Sequence, residues 1–229
     1  MICLFADLSV IPYETARQLQ IQLVAARHDG RLNRDVVLFL EHPPVLTMGR
    51  RGGCKNLTVS ESFLDGLGVK LLHVERGGDI TYHGPNQLIA YAIIKIQNTG
   101  MGIVDFVESL EEVMLQTVAD WGIKANRNPL NHGIWVGDNK LGSIGIAVRR
   151  GITFHGLALN VNPEMSHFDW INPCGLKGIK MTSMAAHTKT RPSMAEVKKG
   201  MRRHWEKIFN VSLNDISHKA LINYTTAQL

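Results

Sequence analysis

The sequence has few cysteines, and none of them has the spacing that a cysteine framework uses. Its 229 residues contain three, Cys3, Cys54 and Cys174, an odd number without a CxxC pair. This argues against a disulfide scaffold and a zinc knuckle. No window reaches the ~20 apolar residues of a membrane-spanning helix, and the amino terminus lacks the basic start of a secretion signal. We expect a soluble, cytoplasmic protein with no membrane partner.

Nucleotide-binding loops are missing as well, since neither GxxxxGK[ST] nor GxGxxG occurs. Internal repeats, low-complexity tracts and Pro/Ser-rich linkers are also absent, which predicts a single domain over residues 1–229. The composition, 45% hydrophobic and 20% charged, is that of an ordinary globular protein.

The charge balance is basic, with a net charge of +5 and a pI near 9.2. Such a chain attracts acidic partners. The basic residues are densest between 189 and 207, without a recognised nucleic-acid motif. We therefore expect no nucleic-acid partner, and the charges fit an acidic protein or a solvated face.

Hydrophobic periodicity predicts three helices, over residues 12–28, 103–121 and 193–209. Ser193 and Glu196 form a capping box at the start of the third. Five apolar or alternating runs predict strands at 35–41, 87–96, 133–136, 140–150 and 152–161. Helices and strands do not alternate regularly, which favours an α+β fold over a doubly wound sheet.

Cys174 lies in a Pro-Cys-Gly step flanked by Lys177 and Lys180. A glycine after the cysteine leaves room for a substrate atom, and nearby positive charge favours the thiolate. The pattern is typical of a covalent acyl carrier, although a structural cysteine in a loop remains the alternative.

Two further segments are candidates for binding. Residues 74–93 contain Gly77-Gly78 and Gly84-Pro85 just before an apolar run, a pattern of a ligand-binding loop or of a hairpin with glycine turns. Lys140 opens a strand whose small residues would let a chain-like substrate lie close to the backbone. Its side chain points either into a cleft or to solvent.

Three motifs in this order resemble the lipoyl(octanoyl) transferase family. They are RGGDITYHGPNQ (76–87), KLGSIGIAVRRGITFHGLALNVN (140–162) and HFDWINPCGLKG (167–178). The resemblance extends over residues 41–184, within a motif-bearing part of about 35–190. It implies octanoyl transfer from acyl carrier protein to lipoyl domains, and an α+β fold with a mixed β-sheet flanked by helices, similar to the catalytic domain of biotin and lipoate protein ligases.

The resemblance also assigns residue roles. It implies that Cys174 carries the acyl thioester and that Lys140 is paired with it, without a metal or other cofactor. The substrate-binding positions it implies are Arg76, Gly77, Gly78, Asp79, Ile80, Thr81, Tyr82, His83, Ser143, Ile144, Gly145, Gly156, Leu157 and Ala158. Where the family usually reads HGPGQ, this chain has Asn86, a residue type that tolerates a positive φ.

The partners follow from the same resemblance. The acyl donor is octanoyl-acyl carrier protein, and the acceptors are lipoyl domains of 2-oxoacid dehydrogenase complexes and the glycine cleavage H protein. Three alternatives stay open: an ATP-dependent lipoate or biotin ligase, a cysteine hydrolase, and a non-catalytic module that binds the carrier.

Overall fold

The computed structural model describes residues 2–175 and 178–225, and the side chain of Cys174 lies outside that description. The described residues form eleven strands and five helices. In chain order these are β1 (Ile2–Val10), α1 (Tyr13–His28), β2 (Val36–Glu41), β3 (Val45–Met48), α2 (Glu61–Gly66), β4 (Lys70–His73), β5 (Ile80–His83), β6 (Gln87–Ile93), α3 (Ile103–Ala119), β7 (Gly133–Val136), β8 (Asn139–Arg149), β9 (Ile152–Asn160), β10 (Lys180–Met181), α4 (Met194–Phe209), β11 (Ser212–Asp215) and α5 (His218–Thr225).

The larger of two sheets has the strand order β10-β8-β9-β6-β2-β1-β11, with β7 paired to β8. Strands β1, β2 and β11 run parallel to one another, whereas β2, β6, β9 and β8 are joined by antiparallel pairs. The smaller sheet has the order β4-β3-β5. The predicted α+β fold with a mixed sheet and flanking helices is confirmed.

Two hydrophobic cores cover the two faces of the large sheet. One contains the apolar stripes of α3 and α4, and the other contains those of α1 and α5. A third core, around Leu46, Ile80 and Tyr82, joins the small sheet to the segment from Met165 to Ile171. No helix in the described ranges is both long and apolar enough to span a bilayer.

The predicted helices and strands are confirmed within one to three residues at their ends. Strands β2 and β6 are buried on both faces, as their continuous apolar runs require. The Ser193 hydroxyl accepts a hydrogen bond from the Glu196 N–H and caps α4. Arg150 and Gly151 turn the β8–β9 hairpin with φ angles of 54° and 75°, as a type I′ turn requires.

Candidate active site

A cavity of about 640 Å³ opens between the loop before β5, the paired strands β8 and β9, and the loop before β7. It collects nearly all of the sequence-predicted binding positions. Those that line it are Arg76, Gly77, Gly78, Asp79, Ile80, Thr81, His83, Ser143, Ile144, Gly145, Gly156, Leu157 and Ala158. The segment 76–83 and the two strands β8 and β9, which are 60 or more positions apart in the sequence, therefore share one surface.

Tyr82 is the predicted binding residue that does not line the cavity. Successive side chains of a strand point to opposite faces, and Tyr82 packs in the third core, edge-on to Phe168 and Trp170. Its hydroxyl makes a 2.8 Å hydrogen bond with His167 Nδ1. Its place in the core fits a role in shaping β5.

Two charged side chains stabilise the loop before β5. The buried guanidinium of Arg76 donates to the Thr47 carbonyl at 2.6 Å and to the Thr47 hydroxyl at 2.8 Å. The Asp79 carboxylate accepts from the Ile80 N–H at 2.6 Å and from Asn56 Nδ2 at 2.8 Å. These bonds fix the shape of the glycine-rich loop around the cavity.

The turn after β5 contains Asn86, at a position where the resembling family usually has glycine. Its φ is 62°, so the expectation that asparagine accommodates this turn is confirmed. The Asn86 N–H donates to Glu41 Oε2 at 2.7 Å, which ties the turn to the end of β2.

The two short steps predicted on β8 and β9 lie directly opposite each other. Ser143 pairs with Ala158, Ile144 with Leu157 and Gly145 with Gly156. A methyl group on Gly156 would come within 2.0 Å of the Ala90 carbonyl oxygen, so only glycine fits between β9 and β6 there. The cavity floor is thus a continuous stretch of paired backbone.

Lys140 is fully buried at the start of β8, so the alternative that it points to solvent is wrong. Its Nζ donates to Asn131 Oδ1 at 2.5 Å and lies 5.3 Å from the Trp135 ring centroid. Because Asn131 lines the cavity, Lys140 Nζ lies one hydrogen bond from it. Asn131 was not among the sequence-predicted residues.

The loop that carries Asn131 is held by the buried carboxylate of Glu111 on α3. That carboxylate accepts from the Gly133 N–H at 2.8 Å and pairs with Arg127 at 3.0 Å. His132 Nδ1 lies 3.2 Å from Glu111 Oε1, the oxygen that also accepts from the Gly133 N–H. Glu111 was missed because an acidic residue on a helix gives no local sign that its partners follow about twenty residues later.

The backbone of Cys174 belongs to a short 3₁₀ turn, Pro173–Gly175. A methyl group on Gly175, whose φ is 74°, would come within 2.6 Å of Asp79 Oδ2, so this turn packs against the cavity loop. After it, β10 runs parallel to β8, with Met181 opposite Lys140. The Cys174 side chain and Lys177 lie outside the described residues, and Lys180 is exposed on β10.

A cluster of histidine and tyrosine rings, of which the sequence singled out His83 alone, closes the inner end of the cavity. Its members are Tyr13, His42, His83, Tyr91 and His155. Burial lowers the pKa of His42 to about 4 and that of His155 to about 3. Burial, followed by the neighbouring His42, also holds the pKa of His83 well below its usual value. All three histidines are neutral at pH 7.

Within the described ranges, no group of three or more His, Cys, Asp or Glu side chains is arranged to hold a metal ion. Three basic residues of α4 are neutralised by acidic partners: Lys198 by Asp7, Arg202 by Asp215 and Arg203 by Asp120. Arg50 and Arg51, by contrast, are exposed and line the cavity.

Comparison with known proteins gives a family and a fold. The model of the lipoyl protein ligase A/B catalytic domain matches residues 12–206. An octanoyltransferase of Desulfotalea psychrophila is 45% identical over 84% of this chain and 87% of its own. The mitochondrial octanoyltransferase of Arabidopsis thaliana is 41% identical over 83% of this chain and 81% of its own.

Solved structures share the fold at low sequence identity. A lipoate protein ligase of T. acidophilum with bound lipoic acid has a TM-score of 0.79 at 16% identity, covering 98% of this chain and 93% of its own. The biotin protein ligase of Aquifex aeolicus has a TM-score of 0.52 at 10% identity, covering 92% of this chain and 70% of its own. The fold relationship expected from the motifs is confirmed.

Proposed function

The chain belongs to the lipoyl protein ligase A/B catalytic domain family, and from that membership we propose that it is an octanoyltransferase acting in protein lipoylation. The acyl donor is octanoyl-acyl carrier protein, and the acceptor is the lysine of a lipoyl domain. Octanoyltransferases 39–45% identical over most of the chain support this activity. The protein is accordingly an acyltransferase.

The observation that carries the proposal is the buried Lys140 beside a cavity with a backbone floor. The cavity of about 640 Å³ has the size of a small-molecule site. Ile144, Leu157 and Ala158 give it apolar walls for an alkyl chain. The turn that contains Cys174 packs on the cavity loop, with Gly175 against Asp79, and this packing supports Cys174 as the nucleophile of the site.

In the first half-reaction, the Cys174 thiolate attacks the carbonyl carbon of the octanoyl thioester. A new carbon–sulfur bond forms, the bond to the carrier's sulfur breaks, and Lys140 gives its proton to the leaving thiolate. In the second, the amine of the acceptor lysine attacks the octanoyl-Cys174 carbonyl. Lys140, now neutral, takes the amine proton as the Cys174 thiolate leaves. The thioester supplies the driving force, so neither nucleotide nor metal is consumed.

The carrier reaches the cavity past Arg50 and Arg51, which are exposed at its opening. An acidic carrier is attracted by such charges. The basic residues of α4 are less suited, because Lys198, Arg202 and Arg203 already have acidic partners. We place the reaction in the cytoplasm, with lipoyl domains of 2-oxoacid dehydrogenase complexes and the glycine cleavage H protein as acceptors.

An ATP-dependent ligase is the second candidate, since the structural neighbours include a lipoate-protein ligase with bound ATP, at a TM-score of 0.79. That similarity, at 15% identity, supports a shared fold and says nothing about a shared activity. A ligase needs a nucleotide and no cysteine, whereas a cysteine hydrolase would release octanoate to water.

The test is intact mass spectrometry after incubation with octanoyl-acyl carrier protein, without ATP and with a chelator. The wild type should gain the mass of one octanoyl group and lose it when a lipoyl domain is added, as the domain gains it. Cys174→Ala should gain nothing. Cys54→Ala, which removes an exposed cysteine, is the matched control and should behave as wild type. A strict ATP requirement, or transfer by Cys174→Ala, would overturn the covalent mechanism.

A further inference from the structure

The cavity is open at one end and closed at the other. At the open end lie exposed Arg50, Arg51 and Leu130. At the closed end lie the buried rings of Tyr13, His83, Tyr91 and His155. A chain that enters from the open end therefore ends against this ring cluster.

Hydrogen bonds fix the tautomers of two histidines in the cluster. His42 Nδ1 lies 2.7 Å from the Ile11 carbonyl, so it carries the proton, and Nε2 accepts from the Tyr91 hydroxyl at 2.8 Å. His83 Nδ1 donates to Gln87 Oε1 at 2.7 Å, because the Gln87 amide nitrogen donates to the Tyr82 carbonyl and to Asn160 Oδ1. Both rings are held in one orientation.

His155 is the member that departs from strand geometry. Strict alternation along β9 would place it with Leu157 and Leu159, in the core under α3 and α4. Its φ of 58° instead turns the ring to the opposite face, where it stacks on Tyr13 and meets Tyr91 edge-on. A positive φ in a non-glycine residue is unfavourable and is often found at functional sites.

The ring of His155 also presents a polar atom that the protein leaves unpaired. Its Nδ1 lies 3.5 Å from the Tyr13 hydroxyl, while Nε2 is buried and makes no hydrogen bond within the described part of the chain. The backbone N–H of His155 donates to Gln20 Oε1 at 2.7 Å, which holds the unusual backbone in place. The rigid ring is therefore a fixed wall of the cavity.

The cavity lining along β5 is long enough for an eight-carbon chain. Asp79 packs against Gly175, the residue after Cys174, and His83 lies four residues farther along the chain, at the end of β5. Both residues line the cavity. Four extended residues cover about 13 Å at ~3.3 Å each, and an extended octanoyl chain is about 9 Å from carbonyl to methyl carbon, given C–C bonds of ~1.5 Å. An octanoyl chain therefore fits within the span from Asp79 to His83.

We propose that His155, braced by Tyr13 and Tyr91, is the residue that limits the acyl chain to about eight carbons. The inference rests on the proposed octanoyl transfer and deepens it. A longer chain would press methylene groups against a fixed ring, and overpacking of that kind is destabilising. Decanoyl and dodecanoyl thioesters are therefore poor acyl donors for the wild type.

The variant that tests this limit is His155→Asn, because asparagine tolerates the positive φ while shortening the side chain. The measurement is kcat/KM for Cys174 acylation by octanoyl-, decanoyl- and dodecanoyl-acyl carrier protein. The ratio of decanoyl to octanoyl should rise on the order of tenfold, since each methylene that becomes buried contributes about fourfold. His73→Asn, at an exposed position of β4, is the matched control and should keep the wild-type ratio.

Thermal unfolding of each variant shows whether it is folded. If asparagine destabilises the strand, His155→Gly replaces His155→Asn as the test variant, because glycine also accepts the backbone angle. A folded variant that transfers octanoyl with an unchanged decanoyl ratio would overturn the role of His155 and leave the transferase intact. A wild type that forms no octanoyl-Cys174 at all would instead overturn the proposed function.

Discussion

The Nζ of buried Lys140 donates a hydrogen bond to Oδ1 of Asn131 across 2.5 Å. An amide oxygen accepts from an ammonium and from a neutral amine alike, so this contact orients the lysine without fixing its charge. A carboxylate in the same place would hold the proton on the lysine. The neutral partner suits a lysine that must give up a proton in one half-reaction and take one in the next.

Replacing Asn131 should therefore separate the two half-reactions. In Asn131→Asp the new carboxylate raises the pKa of Lys140, so deacylation of octanoyl-Cys174 should need a higher pH, while acylation changes less. In Asn131→Ala the buried ammonium loses an acceptor, at a cost of about 1–3 kcal/mol, and both half-reactions should slow. Single-turnover rates across pH, one half-reaction at a time, give the measurement.

The contrast between the two variants decides the role of Asn131 as a positioning residue. A purely structural role would slow the aspartate and alanine variants without moving either pH profile. Asn223→Asp, at an exposed position of α5 outside the cavity lining, introduces the same charge and should leave both profiles where they are.

Lys140→Met should raise the pH at which Cys174 reacts with an alkylating agent. Methionine keeps much of the side-chain volume and removes the charge, at a cost of about 1–3 kcal/mol in stability because Asn131 Oδ1 loses its donor. The thiol pKa should move towards the ~8.5 of a free cysteine. Iodoacetamide alkylation of Cys174, followed by peptide mass spectrometry from pH 5 to 10, measures it. An unchanged profile would mean that Lys140 does not influence the thiol.

The sequence predicts the elements whose pattern is local. Strands β2 and β6 are continuous apolar runs, and α4 has both its cap and its stripe in one segment. Strand β5 was hidden, because its cavity-side residues are polar and follow a glycine-rich loop. β1 was missed because Asp7 and Ser9 interrupt its apolar run, and the chain indeed departs from regular geometry there, with φ of 55° at Ser9.

In the candidate site, too, the sequence predicts what is encoded locally and misses what depends on the fold. The motifs identify the loop before β5 and the steps on β8 and β9, which the fold brings to one cavity. His155 and Asn131 were not predicted from the sequence, for different physical reasons. The ring of His155 reaches the cavity only because the φ of this residue is positive, and no residue pattern in the sequence predicts that angle. The contact of Asn131 with Lys140 depends on Glu111, a partner on another element.

Charge reversal at Arg51 should weaken acylation by the carrier-bound substrate. Arg51→Glu places a negative charge at the cavity opening, where an acidic carrier must approach, and should lower kcat/KM several-fold at low salt, through the association rate. The loss should shrink as salt rises, because the Debye length falls to about 3 Å at 1 M. Stopped-flow acylation of Cys174 over a salt series is the measurement.

Arg150→Glu makes the same change at the exposed β8–β9 turn, outside the cavity lining. It should reduce the rate less than Arg51→Glu. If Arg150→Glu instead slowed acylation more than Arg51→Glu, the carrier would dock at the β8–β9 hairpin. If neither variant nor salt changed the acylation rate, electrostatic attraction of the carrier would be excluded.

The buried histidines should make the protein lose stability as the pH falls below 7. In the unfolded chain a histidine binds a proton near pH 6.5, whereas burial holds the folded pKa of His42 at about 4 and that of His155 at about 3. Below pH 6.5 the unfolded state thus binds more protons than the folded state. The free energy of unfolding falls with pH, by about 1 kcal/mol for each such histidine between pH 7 and 5.5, until the pH reaches the folded pKa.

His42→Gln removes one of these groups while keeping a donor for the Ile11 carbonyl and an acceptor for the Tyr91 hydroxyl. Its urea-unfolding free energy should depend less steeply on pH than that of the wild type, with the difference growing from pH 7 to 5.5. His73→Gln, at an exposed position of β4, is the matched control for the substitution itself. Because the linked protons belong to the unfolded chain, the loss of stability should disappear above pH 7 in every variant. A His42→Gln slope as steep as the wild-type slope would show that folding does not lower the pKa of His42, and this result would contradict the prediction.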